Sequence, residues 1–185
     1  MDWISVVIEE YKTVREESLT SMQTQQSVLH YGTTTLGIMV VAGFNVWDKA
    51  WLPELIFLVF VPLVSYLVLI TWTGEVARMM RAGRFLAKLE GKVNHFFKEK
   101  SNALMWESWL RENQPDGKTP QLIWNYKAII SLFLLIAFLA IGVGHFKIHK
   151  VTFIYYSFRW IIDGIEAFVF FGAIFFVGEQ VKRFR

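Results

Sequence analysis

Four stretches of roughly 20 mostly apolar residues constrain this chain more than any other feature. A hydrocarbon core about 30 Å thick is crossed by a helix of about 20 residues, and a helix satisfies its backbone hydrogen bonds internally. The composition agrees, since 54% of the 185 residues are hydrophobic. The sequence therefore predicts an all-α, polytopic membrane protein with four transmembrane helices, at Val28–Trp47, Trp51–Trp72, Trp124–Phe146 and Tyr155–Val177.

The distribution of Lys and Arg predicts the orientation of these helices. Fifteen of the 19 basic residues lie at positions 12 and 15, between 78 and 127, or at 182, 183 and 185; the exceptions are Lys49, Lys147, Lys150 and Arg159. Basic residues favour the cytoplasmic side of short loops, so both termini are expected inside. This gives five segments: 1–27, a cytoplasmic amphipathic helix; 28–73, transmembrane helices 1 and 2; 74–122, a cytoplasmic basic helical segment; 123–178, transmembrane helices 3 and 4; and 179–185, a cytoplasmic basic tail.

The N-terminal segment repeats apolar residues at a helical spacing. Residues 2–27 contain neither Gly nor Pro, and the repeat predicts a helix that leads into the first span, with a packing face made of Ile4, Val7, Ile8, Tyr11, Val14 and Leu19. In the first span, threonines at 33–35 are tolerated at lipid depth because a helical threonine can bond its own backbone.

A basic stripe follows the second span. Projected at 100° per residue, five cations share about one third of a helix circumference: Arg78, Arg81, Arg84, Lys88 and Lys92. Apolar residues gather on the adjacent third: Met79, Ala82, Leu86, Leu89, Val93 and Phe96. Such a stripe can bind anionic lipid head groups, acidic residues of a partner, or a polyanion. Its length of about four turns, roughly 20 Å, favours an anionic nucleotide or a single-stranded oligonucleotide, with Phe85, Phe96, Phe97, Trp106 and Trp109 as possible stacking surfaces.

The fourth span carries charges in its outer half. Arg159 and Asp163 are four residues apart and are expected to form an ion pair along the helix. Glu166 lacks such a partner, so it should face the interior of a bundle or water rather than lipid. One interpretation is a polar network with Glu54 and His145. The other is a pore between several subunits, lined by Asp163, Glu166, Phe170, Ala173 and Val177, in which acidic rings select cations.

Motifs of catalysis and metal binding are not found in the sequence. There is no cysteine, which excludes disulfides and thiolate metal sites. Phosphate-binding loops, nucleophile elbows and zinc-protease motifs are not present either. We therefore expect no catalytic residue, no metal, no cofactor and no enzyme activity.

Three phrases carry a resemblance: "IEEYKTVREE" before the first span, "RMMRAGRFLAKLE" after the second, and "WESWLRE" before the third. With the four-span architecture they resemble small bacterial membrane effectors of anti-phage defence, such as the channel subunit of the Hailong system, and are similar also to Kiwa-type four-span subunits. The resemblance implies a multi-pass protein of the bacterial inner membrane that works beside a soluble nucleotidyltransferase. It also implies that the five cations of the stripe contact a nucleic-acid backbone.

Two functions are compatible with these features. The first is a homo-oligomeric ion channel or pore-forming effector in antiviral defence, with a tetramer as the expected assembly, gated from the cytoplasm by a nucleotide-derived ligand. The second is a non-conducting membrane sensor or scaffold that docks a soluble acidic partner on the basic stripe.

Overall fold

The computed structural model describes residues 3–49, 51–97, 104–107 and 120–148, and eight helical positions between 164 and 179. Four α-helices and one π-helical segment make up the continuous elements: α1, Trp3–Asn45; α2, Leu52–Leu55; the π-helix, Ile56–Phe60; α3, Val61–Phe96; and α4, Pro120–Ile148. No strand occurs in the described ranges. The all-helical class that the sequence predicts is confirmed to that extent.

Three helical stretches are long and apolar enough to cross a membrane: Trp3–Asn45, Leu52–Phe96 and Asn125–Lys147. They overlap the first three predicted spans, and each leaves out one or two residues at one end of its span. The fourth predicted span lies mostly outside the described residues and stays a prediction, as does the orientation. Thr33 and Thr34 donate to the backbone oxygens of Leu29 and His30, at 2.7 and 2.8 Å, which confirms how the first span accommodates its threonines.

The chain divides into two compact units. Unit 1 comprises Met1–Gln26 and Gly74–Asn125, and unit 2 comprises Ser27–Thr73 and Tyr126–Arg185. The core of unit 1 is a small cluster of Val7, Leu89 and Val93, against which Tyr11, Phe97 and Leu104 pack. The main core of unit 2 draws on α1, the π-helix, α3 and α4, through Leu36, Phe57, Val61, Phe133 and Ala140.

The π-helix lies between two prolines of the second predicted span. Pro62 has no N–H, and its ring would meet the carbonyl group four residues earlier in a regular α-helix. A wider turn relieves that conflict: the N–H of Val61 donates to the oxygen of Ile56, five residues back. Proline inside a span typically kinks its helix, and here the π-helical turn lies directly before Pro62.

Close packing in unit 2 depends on glycines. A Cβ atom built on Gly43 would lie 2.6 Å from the ring of Phe57, and one on Gly144 would overlap the side chain of Leu58. Real Cβ atoms do not come that close, so these two positions hold the helices together at a distance that only glycine permits.

Candidate functional site

The part of α3 that belongs to unit 1 has a buried apolar face and an exposed face that carries the basic stripe. The buried face consists of Ala82, Leu86, Leu89 and Val93, none more than 7% exposed, and this confirms the packing face that the helical projection predicts. Two residues of the predicted face differ: Met79 is only half-buried, and Phe96 is 60% exposed, with its ring centroid 5.1 Å from that of Trp3.

All five cations of the stripe are exposed, but they differ in their partners. Arg78 donates from Nε to a carboxylate oxygen of Glu17 on α1, at 2.8 Å, and this hydrogen bond raises the pKa of Arg78. Arg84 also has an interaction of its own. Arg81, Lys88 and Lys92 make no ion pair with any residue that the structure describes. These three cations form the part of the face that is open to a ligand.

Phe85 lies among these three cations. It is 40% exposed, and positions 81, 85, 88 and 92 follow the alternating spacing of three and four that lines one face of a helix. Of the other aromatic residues that the sequence suggests for stacking, Phe96 and Phe97 pack edge to face at 5.5 Å, Trp106 lies under a guanidinium group, and Trp109 is outside the described residues. We name Arg81, Phe85, Lys88 and Lys92 the basic face.

A polar cluster is buried beside the core of unit 1. Glu90 is fully buried, and one of its carboxylate oxygens accepts two hydrogen bonds. Tyr11 Oη donates to it at 3.1 Å, and the backbone N–H of Glu107 at 2.9 Å. Burial raises the pKa of Tyr11, and the Glu90 carboxylate raises it further, so the hydroxyl keeps its proton at neutral pH and remains a donor.

The short segment 104–107 is attached to α3 by side chains. Asn94 donates to the Leu104 carbonyl oxygen at 2.6 Å and accepts from its N–H at 3.0 Å. The guanidinium of Arg15 lies 5.4 Å from the ring centroid of Trp106, within cation–π range. The cluster therefore joins residues from α1, α3 and the connecting segment.

The three sequence phrases that carry the resemblance meet in this cluster, which the sequence does not predict. The first contributes Tyr11 and Arg15, the second ends at Glu90, and the third begins with Trp106 and Glu107. One signal is visible in the sequence: Glu90 is an acid at the edge of the apolar third of the helix, where a charge is costly unless it has partners.

Unit 2 contains a second buried carboxylate, in α2. Glu54 is 1% exposed, and neither of its carboxylate oxygens has a hydrogen bond to a described residue. Glu166, the centre of the expected polar network, lies outside the described residues, so that network stays a prediction. Elsewhere in unit 2, Lys147 donates to the backbone oxygen of Trp47, and its Nζ lies 4.9 Å from the centroid of the Trp47 indole ring.

The predicted pore residues lie mostly outside the described part of the chain. Phe170 is described: it is half-buried and packs against the cluster of Tyr66 and Ala137 in unit 2. The remaining pore residues and the predicted ion pair, namely Arg159, Asp163, Glu166, Ala173 and Val177, fall outside it. Among the described residues, no group of three acidic or histidine side chains is placed to hold a metal ion.

No family model, no curated protein and no solved structure matches this chain. Its class is defined by the fold: the described part of the chain is all-helical and has three helices long and apolar enough to cross a membrane. Two features distinguish it within that class: the basic face of α3 and the buried polar cluster around Glu90 of the same helix.

Proposed function

We propose that this protein is a homo-oligomeric ion channel or pore-forming effector of bacterial antiviral defence, gated by an anionic ligand. The basic face binds that ligand, which is a nucleotide or a single-stranded oligonucleotide. The acidic residues Asp163 and Glu166 line the ion path, and Phe170, Ala173 and Val177 narrow it. The protein lies in the bacterial inner membrane with the basic face in the cytoplasm, beside a soluble nucleotidyltransferase.

One observation carries the ligand-binding part of this proposal. Arg81, Lys88 and Lys92 are exposed and lack ion pairs in the described part of the chain. Unpaired cations that share one helix face repel one another, and an anion removes that repulsion. Phe85, exposed among them, adds a flat apolar surface on which a nucleobase can stack.

A second function is favoured by a different observation. Trp3 and Phe96 are 47% and 60% exposed and touch each other at the end of unit 1 that contains Lys92. Exposed aromatic pairs beside cations are typical anchors of protein interfaces. In this alternative, the protein is a non-conducting sensor or scaffold, and an acidic protein partner occupies the basic face.

Lys88→Glu should weaken ligand binding. The probe is a fluorescein-labelled single-stranded DNA of about 12 nucleotides, and the protein is held in nanodiscs of zwitterionic lipid, so that anionic lipid does not compete. Anisotropy should show roughly tenfold weaker binding, because a phosphate contact is replaced by repulsion. The slope of log affinity against log salt should become shallower by about 1.

The matched control is Lys12→Glu. Lys12 is exposed on α1 and lies near Glu9, so its replacement changes the net charge equally without touching the basic face. Equal weakening by both variants would mean that only net charge matters, and the proposed site would then be wrong. A wild-type protein that binds an acidic peptide but no DNA would select the scaffold alternative.

A further inference from the structure

We infer that Glu17 competes with the anionic ligand for Arg78 and so regulates the basic face. This inference rests on the proposed ligand binding and adds a regulatory contact to it. In the ligand-free protein, Glu17 forms an ion pair with Arg78, the first cation of the stripe. A bound polyanion replaces Glu17 as the partner of Arg78, so that α1 is no longer held by this ion pair.

The contact joins two helices that are distant in sequence. Glu17 belongs to α1 and Arg78 to α3, 61 residues later, and one oxygen of the carboxylate lies 2.8 Å from Nε of the guanidinium. The side chains are 44% and 47% exposed. Solvent therefore reaches both partners, and so can a ligand. A guanidinium group has five N–H donors, so an incoming anion can approach Arg78 before Glu17 has left.

The position of Arg78 makes the competition direct. Arg81 is three residues further along the same helix, and side chains at that spacing are neighbours on the surface. The two guanidinium groups are thus close enough for one extended polyanion to contact both. A phosphate offers Arg78 the same charge-assisted hydrogen bonds as a carboxylate, while it repels the Glu17 carboxylate. Ligand and Glu17 therefore weaken each other's binding to this cation.

The contact is suited to a reversible role because it is exposed. Exposed ion pairs are weak and screened by salt, so a multivalent anion can displace Glu17. The ion pair lowers the affinity of the protein for the ligand by a certain factor. By thermodynamic reciprocity, bound ligand weakens the ion pair by the same factor. Further contacts between α1 and α3 in unit 1 do not involve the basic face; among them are those of Tyr11 with Glu90, Gln25 with Met79 and Trp3 with Phe96. Ligand binding should break one contact of the helix pair and leave these in place.

A double-mutant cycle tests the competition. Binding of the labelled DNA to the nanodisc-held protein is measured for Glu17→Gln and for its neighbour Glu16→Gln, each with and without Arg78→Gln. Glu16 is exposed and makes no ion pair with the described residues, so it controls for the loss of one negative charge. Glu17→Gln should tighten binding about threefold more than Glu16→Gln. With Arg78→Gln present, the two variants should have the same affinity.

The outcomes separate this inference from the proposed function. If the wild-type protein and all variants fail to bind the DNA, ligand binding itself is wrong. If the wild type binds but Glu17→Gln and Glu16→Gln have the same affinity in both backgrounds, the face binds ligand without competition, and the inference is overturned. Helix content measured by circular dichroism shows whether each variant is folded. Because Glu16, Glu17 and Arg78 are all exposed, no loss of helix content is expected.

Discussion

Two glutamates that are buried in the described part of the chain differ in how their charge is accommodated. Glu90 receives hydrogen bonds from Tyr11 and from the N–H of Glu107, whereas Glu54 receives none from the described residues. Burying a carboxylate costs free energy unless hydrogen bonds or a counter-charge replace its water. At the residue scale, Glu90 is expected to stabilise the contact between α1, α3 and segment 104–107, and Glu54 is expected to destabilise unit 2.

Replacing each glutamate with methionine should therefore have opposite effects on stability. Glu54→Met removes a carboxylate without hydrogen bonds and should raise the free energy of unfolding by about 1–3 kcal/mol. Glu90→Met leaves the Tyr11 hydroxyl and the Glu107 N–H buried without an acceptor and should lower it by about 2–4 kcal/mol. Thermal unfolding in detergent, followed by tryptophan fluorescence, measures both. A loss of stability in Glu54→Met would mean that this carboxylate has a stabilising partner.

At the scale of elements, one helix contains two glycines with contrasting surroundings. Gly43 of α1 faces the ring of Phe57, whereas a Cβ on Gly37 of the same helix would meet nothing within 4 Å. Gly43→Ala should destabilise the protein by roughly 1–3 kcal/mol, because the added methyl overlaps the ring. Gly37→Ala should be neutral or stabilise by up to about 1 kcal/mol through helix propensity. Thermal unfolding of the two variants side by side checks this; equal shifts would contradict the close approach at Gly43.

The packing face of α1 in unit 1 is only partly the one that apolar periodicity predicts. Val7 is buried, and Ile4, Tyr11 and Val14 are half-buried, as expected. Ile8 and Leu19 are 41% and 50% exposed, however, and the serines at 18 and 21 are buried in their place. The buried positions follow the alternating spacing of three and four that packs one helix along another. Hydropathy favours leucine at such a position, but a close approach of two helices favours the smaller serine.

At the scale of the whole molecule, the proposed function requires several copies of the chain. One four-helix bundle is too small to enclose a water-filled path, and acidic residues in a span should face water or another subunit. The detergent-solubilised particle should therefore have the mass of an oligomer, with four copies expected. In planar bilayers it should show discrete conductance that depends on the DNA ligand.

Glu166→Gln should lower the cation conductance several-fold, because an acidic ring concentrates cations at the pore. Glu10→Gln is the control: Glu10 is an exposed residue of α1 in unit 1, and its loss should leave the conductance unchanged. Single-channel recording measures both variants. A monomeric particle that conducts no ions at any ligand concentration would rule out the channel and leave the scaffold alternative.

The helical class, three of the apolar stretches and the two faces of α3 follow from local features of the chain. Hydropathy and helical periodicity are properties of consecutive residues. Both can therefore be read from one stretch of sequence without knowing which parts of the chain lie next to it in space. Three other features depend instead on how the helices pack against one another. They are the contact of Tyr11, Glu90 and Glu107, the ion pair of Glu17 with Arg78, and the burial of two serines. Residues 61 or 79 positions apart come into contact only after the packing of α1 against α3 sets their distance and register, and no single stretch of the chain encodes that packing.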